Sequence, residues 1–373
     1  MDPTQNLIQR INVGDSLTRS AFARPERTAV VDGARRWTYA EFNALVNRLA
    51  HGLAGRGYRP GDALALASGN SAEFLAVYYA CAKLGVVCVP INLGWRPPEV
   101  AYVLDHSRSR GIVVEAQLLG AMTAAVAEVA AVTEVVVAPG TGEPWEPVAG
   151  RSCAALDDLL AGDAAEPEVV VADRAPLSYL YTSGTTSFPK GVVGTHLGVY
   201  LESMSAALDS GWNADDRFLA MMPMFHTAQL NAFCTPAVVV GASIHVHRGF
   251  DPDRFLAAIE AERITQVFGL PMMYRAALEH PAFGGRELSS LRRAVYAMAP
   301  MPEAQIKACL DGFGCEFALL FGQTEMSPIT TLFRPEHQLS HVGAVGTPLT
   351  GVQVAIMDAD GTRQKQLTFG GGP

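Results

Sequence analysis

Cysteine is sparse in this chain and never closely paired. Cys81, Cys88, Cys153, Cys234, Cys309 and Cys315 include no Cys-x-x-Cys spacing, and most sit inside apolar runs. They read as buried free thiols in a reducing compartment. Charge is also low. Charged residues make up 17% of the chain against 49% hydrophobic ones, a globular composition and not a disordered one. There is no excess of positive charge: the formal net charge of −9 argues against a nucleic acid as the main partner. No apolar run reaches about 18 residues, so no transmembrane helix is expected. Met1–Arg10 is polar and lacks the apolar stretch of a secretory signal. Together these absences predict a cytoplasmic protein. At 373 residues the chain buries a large core and is long for one simple domain.

What is present is a strand–helix rhythm. Thr28–Asp32 and Arg36–Tyr39 flank Gly33 as a hairpin. Thr38 and Glu41 form a capping box for a helix reaching about Ala54. Phe42, Leu45, Val46, Leu49 and Leu53 recur with the spacing of one buried face. Strands at 63–67, 86–91, 111–114 and 135–138 then alternate with helices at 71–84, 97–104 and 118–132. A short helix is expected at 153–160 and an acidic linker at 161–176. A second alternating block follows. Its helices fall at 196–208, 228–240 (kinked at Pro236), 251–262 (capped by Asp251), 271–279 and 302–310, with strands between them, and a strand is expected at 352–357. Such alternation argues for parallel sheets with helices on their faces.

The apolar run Leu177–Tyr181 reads as a buried strand. It delivers the chain into Thr182-Ser183-Gly184-Thr185-Thr186-Ser187-Phe188-Pro189-Lys190-Gly191. Gly184 permits a tight turn. Hydroxyls on Thr182, Ser183, Thr185, Thr186 and Ser187, with successive N–H groups, suit an anion nest. Lys190 adds a full positive charge, and Pro189 stiffens the approach to it. This is no Walker A loop, because Gly191 stands where Ser or Thr would follow the lysine. On composition alone the stretch is either a phosphate loop or a solvated surface loop. Two segments just past strands lie where open α/β sheets bind ligands. Met298-Ala299-Pro300 opens a helix and, read alone, is a plain strand–helix turn. Phe321-Gly322-Gln323-Thr324-Glu325 combines an aromatic face, a flexible glycine, a hydroxyl and a carboxylate, and a carboxylate beside phosphate suits Mg²⁺. His226, in Pro223-Met224-Phe225-His226-Thr227, is either a packed core residue or a substrate contact.

These strings resemble the adenylate-forming superfamily: acyl-CoA synthetases, aryl-CoA ligases, luciferases and peptide-synthetase adenylation domains. The family's usual Thr-Ser-Gly-Thr-Thr-Gly-x-Pro-Lys-Gly is matched except at Ser187, where Gly is usual. Phe321–Glu325 resembles its Tyr/Phe-Gly-x-Thr-Glu, Met298–Pro300 its Gly-Ala-Pro, and Gly343–Pro348 its Gly-Ser-Val-Gly-x-Pro turn. The resemblance runs in order from about Thr28 to Asp360. It implies that Thr182, Ser183, Gly184, Thr185, Thr186 and Lys190 hold ATP phosphates. Phe321 would stack on adenine, with Ala299, Pro300, Gly322 and Gln323 around it. Thr324 would bond the α-phosphate and Glu325 ligate Mg²⁺. His226 would position the acid or gate its channel, while Thr227, Ala228, Gln229, Ala297 and Met298 line the acyl site. The implied catalytic set is Lys190, Thr324, Glu325 and His226, and Met298 is expected to narrow the pocket.

The fold implied is layered α/β: two doubly wound sheets, at about 1–170 and 171–330, plus part of a distorted β-barrel. Together they form a large N-terminal domain, 1–357, with a tail at 358–373. The reaction implied is carboxylate plus ATP to acyl-AMP and pyrophosphate, after which CoA displaces AMP. Apolar surroundings suggest a lipophilic fatty, alicyclic or aryl acid. The family's Tyr/Phe-x-Thr-Gly-Asp motif, and a mobile C-terminal domain of roughly one hundred residues with its lysine, do not follow residue 357. The isolated chain is therefore expected to bind ATP or acyl-AMP weakly, adenylate slowly and form little acyl-CoA, unless a C-terminal domain or partner acts in trans. One alternative is a non-catalytic acyl-adenylate-binding module. Another is a domain that loads a carrier protein. Thr227 disfavours an amino-acid substrate, since an Asp would stand there to hold the α-amine.

Overall fold

The computed structural model describes residues 11–182 and 188–363. A first helix, α1 (Val13–Ala23), precedes the hairpin of β1 (Thr28–Asp32) and β2 (Arg35–Thr38). The hairpin turns at Gly33, whose φ of 61° disfavours any side chain. Thr38 and Glu41 close the expected capping box at the start of α2 (Tyr39–Gly55). Phe42, Val46, Leu49 and Leu53 are buried along one face of that helix.

Next come β3 (Ala63–Ala67), α3 (Ala72–Leu84), β4 (Val87–Pro90), α4 (Pro97–His106), β5 (Ser109–Glu115), α5 (Leu119–Glu128), β6 (Glu134–Ala138) and β7 (Ser152–Ala155). They are followed by β8 (Pro176–Thr182) and β9 (Lys190–Thr195). These strands form one sheet in the order β7-β6-β5-β3-β4-β8-β9. It is parallel except for β9, which runs back against β8. Two expectations change here. Helix α5 ends at Glu128, and the helix expected over 153–160 is a strand followed by a 3-10 turn at Leu156–Ala161. The free edge of β6 supplies the pairing partner that draws Ser152–Ala155 into the sheet.

The second block contains α6 (His196–Ser210), β10 (Arg217–Ala220), α7 (Thr227–Gln229), α8 (Thr235–Val240), β11 (Ser243–Val246) and α9 (Pro252–Glu262). It continues with β12 (Gln266–Gly269), α10 (Pro271–Leu278), β13 (Arg293–Tyr296), α11 (Glu303–Phe313), β14 (Glu316–Gly322), β15 (Ile329–Phe333) and β16 (Thr347–Pro348). The order is β16-β15-β14-β13-β12-β10-β11-β1-β2. The interior is parallel and both edges are antiparallel. Asp251 caps α9 by accepting from the Arg254 N–H, as its sequence predicts. The break expected at Pro236 is instead a π-turn, Leu230–Cys234, and Pro236 lies in the first turn of α8.

The sheets exchange segments across the division expected at residue 170. The hairpin β1–β2 lies at the edge of the second sheet, and β8–β9 closes the first. A cut at residue 170 would separate strands of both. Helix α3 is buried on nearly every side and shares one core with Leu64 and Cys88 of one sheet and Phe218 and Ile244 of the other. Helices α4 and α5 cover the outer face of the first sheet, and α9, α10 and α11 that of the second. The result is a layered α/β fold. Among the described residues no barrel closes, and the strand expected at 352–357 is only a bridge from Met357 to Arg363. Its apolar alternation has no long edge to pair with, since β16 is two residues long. The cysteines are free, and Cys81, Cys88, Cys234 and Cys309 are buried. No helix among the described residues is long and apolar enough to cross a membrane.

Candidate functional site

Three chain segments meet at the carboxyl ends of the parallel strands. The first is the β8–β9 hairpin, whose register sets Thr182 opposite Lys190. Thr182 is half-buried and Lys190 exposed. Ser183, Gly184, Thr185, Thr186 and Ser187 lie outside the described residues. Helix α4 braces both ends of the hairpin tip. His106 Nδ1 lies 2.8 Å from the Tyr181 hydroxyl, and Tyr102 stacks on Phe188 with ring centroids 4.6 Å apart.

The second segment comes from β13 and β14. Beyond Tyr296 the chain turns through Ala297, Met298, Ala299 and Pro300. Met298 has a φ of 68°, a left-handed conformation that costs a side chain about 1–2 kcal/mol. Strand β14 ends in Phe321 and Gly322, and a 3-10 turn carries Thr324, Glu325 and Met326. A Cβ on Gly322 would lie 1.8 Å from the Pro328 carbonyl oxygen, so only glycine fits there. Phe321 is half-exposed and Glu325 exposed. Strand β9 lies against the Thr324–Met326 turn, which brings the Lys190 strand of one sheet to the Thr324 turn of the other.

The third segment follows β10. A turn closed by the His226 N–H to the Pro223 carbonyl (3.1 Å) leads into α7. His226 stands on the surface beside the Phe225 ring, and partial desolvation lowers its pKa. Thr227 and Ala228 face a cavity. Gln229 does not line it. Its buried amide accepts from the Met222 N–H at 3.1 Å and donates to Cys234 Sγ at 3.8 Å.

The cavity holds about 490 Å³ and lies between the second and third segments. Its wall includes Thr227, Ala228, Ala297, Met298, Ala299, Pro300, Phe321, Gly322, Gln323 and Thr324. Thr182, Lys190, His226 and Glu325 are not on that wall. Apolar side chains dominate it. Phe233 and Phe268, stacked at 4.9 Å, line it too, as do Tyr296 and the Gly343–Val345 turn. Sequence reasoning did not single out Phe233, Phe268 or Tyr296 as site residues. The position of Phe268 and Tyr296 near the ends of parallel strands was the available signal. Asn70 was also missed; it lies far off in sequence and reaches the third segment only through the fold.

Among the described residues no three His, Cys, Asp or Glu side chains gather as a metal cage. Glu325, exposed and outside any such cluster among the described residues, suits an ion that takes most of its ligands from phosphate and water.

Comparison with known proteins agrees with this layout. Residues 17–370 match the family described as AMP-binding enzyme. Feruloyl-CoA synthase of Amycolatopsis sp is 33% identical over 345 residues, covering 92% of this chain and 66% of that protein. Long-chain-fatty-acid–CoA ligase FadD13 of Mycobacterium tuberculosis is 33% identical over 352 residues, covering 94% and 67%. The chain thus spans about two thirds of the length of the curated relatives it matches. The inhibitor-bound N-terminal domain of FACL13 from Mycobacterium tuberculosis superposes with a TM-score of 0.86 at 31% identity, covering 95% of this chain and 86% of that one. Anthranilate CoA ligase AuaEII, in complex with anthranoyl-AMP, gives a TM-score of 0.85 at 25% identity, covering 98% and 68%. With its matching motifs, its layered fold and a family match along most of its length, the chain belongs to the AMP-binding enzyme family.

Proposed function

We propose that the chain activates a lipophilic carboxylic acid with ATP as its acyl-adenylate, and that the intact reaction then passes the acyl group to CoA. One convergence supports the reading. The apolar cavity has Thr324 on its wall, and the turn carrying Thr324 packs against the strand that opens with Lys190. An acid site and a phosphate site are thereby neighbours. Relatives named as ligases of feruloyl and long-chain acyl groups support a lipophilic acid, as do the Phe233 and Phe268 rings.

In this reading an ionised carboxylate oxygen of the acid attacks the α-phosphorus in line. The bond from that phosphorus to the bridging oxygen breaks, pyrophosphate leaves with the electron pair, and a mixed anhydride remains. No general base is needed. The difficulty is charge, because an anion attacks a centre that is already anionic, so catalysis is positioning plus electrostatic stabilisation. Lys190 supplies positive charge, and the Thr182 and Thr324 hydroxyls donate to phosphate oxygens. Glu325 would hold Mg²⁺, which when bound would further neutralise the phosphates. Phe321 offers its exposed face to adenine. His226, next to Thr227 of the cavity wall, would meet the acid at the cavity mouth as a hydrogen-bonding group; partial desolvation lowers its pKa and so favours the neutral imidazole. In the second step the CoA thiolate attacks the acyl carbonyl and releases AMP.

ATP–pyrophosphate exchange on the 373-residue chain, with Mg²⁺ and a panel of short, long and aromatic acids, tests the reading. Acid-dependent exchange is the expected result. ATP binding without exchange for any acid would overturn it in favour of a non-catalytic adenylate-binding module.

A further inference from the structure

We infer that Asn70 is a positioning residue for the acid site, acting through the backbone of Met222 and Met224; this rests on the acyl-adenylate reading. Asn70 lies in the turn between β3 and α3, one residue before Ser71 caps α3. It is 3% exposed. Its Nδ2 donates to the Met222 carbonyl at 2.8 Å and to the His247 carbonyl at 3.0 Å. Its Oδ1 accepts from the Met224 N–H at 2.8 Å. One side chain of the first sheet's layer therefore satisfies backbone groups in the two loops that leave β10 and β11 of the second sheet.

The hold on Met222 is two-sided. Its carbonyl goes to Asn70, and its N–H goes to Gln229 Oε1 at 3.1 Å. Met222 and Met224 are buried, so these peptide groups have no water to fall back on. Two residues after Met224 the chain reaches His226, and Thr227 then enters the cavity wall. The turn from Pro223 to His226 is closed by its own hydrogen bond, which leaves little slack between the pinned backbone and the site. Strand β3 shares its sheet with β8 and β9. Asn70 thus sets the acid-site loop relative to the sheet that carries Lys190. An amide suits the task because it presents a donor pair and an acceptor at once. Aspartate keeps the acceptor but turns an oxygen toward two carbonyls, and alanine loses every contact.

The consequence is selective. A shifted 222–227 loop misplaces the acyl group, and small misplacements are costly in such sites. The nucleotide contacts on β8, β9 and β14 keep their geometry. The test is calorimetric binding of two probes, ATP and a non-hydrolysable acyl-sulfamoyl-adenosine, to the wild-type chain and to Asn70→Ala and Asn70→Asp, with thermal melts alongside. Both variants are expected to bind ATP as the wild type does and to bind the acyl-adenylate mimic about ten- to hundredfold more weakly, the range for a small misplacement of a positioning loop. Gln229→Leu, which releases the other side of Met222, should show the same split and serves if an Asn70 variant does not fold. Equal losses for both probes, or a lowered melting temperature with an unchanged affinity ratio, would make Asn70 a purely structural residue and overturn the inference. A wild-type chain that bound neither probe would overturn the adenylation reading, and the inference with it.

Discussion

Lys83 on α3 anchors the segment that leads into β8, and Lys83→Met should loosen it. The side chain is 2% exposed. Its ammonium donates to Asn43 Oδ1 (2.7 Å), Asn47 Oδ1 (2.6 Å) and Glu166 Oε2 (2.7 Å). Glu166 also accepts from the Asn43 and Asn47 amides and from the Thr18 hydroxyl, so it ties the 161–175 segment to α1, α2 and α3. Burial pushes the Glu166 carboxyl up, but the Lys83 charge and the two amides outweigh it, and its pKa is lowered. Methionine keeps most of the aliphatic stem and removes the charge-assisted bonds. Breaking a buried pair costs about 3–5 kcal/mol. Glu166 keeps partial access to water, so the low end, about 3 kcal/mol, is expected. Adding Glu166→Gln removes the stranded carboxylate and should return about 1–2 kcal/mol relative to additivity. Urea unfolding at pH 7 measures both. Because the folded pKa of Glu166 lies below its unfolded value, its contribution is present above about 4.5 and is lost as pH falls through the folded value. The gap between wild type and Lys83→Met should therefore shrink in acid. A loss under about 1 kcal/mol at pH 7, or a gap that stays constant in acid, would refute the reasoning.

Three further outcomes follow from particular residues. Burial pushes the His245 pKa down from 6.5 to about 4; Glu262 opposes the shift, while Arg217, Arg36 and His247 reinforce it. The unfolded chain takes up that proton first as pH falls, so stability should decline between pH 6.5 and 4 by at most on the order of 3 kcal/mol. His245→Asn should flatten the urea midpoint over that range, though His226 and His247, lowered likewise, keep part of the slope; an unchanged slope would count against the assignment. Gly322→Ala drives a Cβ into the Pro328 carbonyl and should cost about 2 kcal/mol or more in a thermal or urea melt. Phe321→Ala, at a half-exposed ring, should leave the melt unchanged and weaken ATP binding about tenfold, as the loss of one base–aromatic stack does, whereas Phe321→Tyr should not.

Local signals in the sequence carried far. The Thr38–Glu41 box, the Gly33 hairpin and the Asp251 cap depend on neighbouring residues, and each forms as the sequence predicts. The buried parallel strands were legible for the same reason, as short apolar runs between helices. What failed depended on partners. Strand β9 holds Gly191 and Gly194, residues that disfavour strands, and exists because β8 offers it a ladder. Ser152–Ala155 pairs with an edge that no local pattern announces, while 352–357 alternates well and finds no long edge. Gln229 shows the same limit at the site. Its string position suggested an acyl contact, but its amide is turned to the Met222 backbone. Asn70 lies 152 residues from Met222 and could be found only once the sheets were seen together.

The most direct test of the account is single-turnover formation of acyl-AMP, followed by mass spectrometry, with the chain in stoichiometric amount and Mg²⁺, ATP and a lipophilic acid present. The account predicts acyl-AMP and pyrophosphate in equal amounts, with Lys190→Ala slower by about 10²–10³, the usual cost of one lost charge-stabilising contact. Acyl-AMP forming from no acid while ATP binds, or forming equally fast in Lys190→Ala, would contradict it.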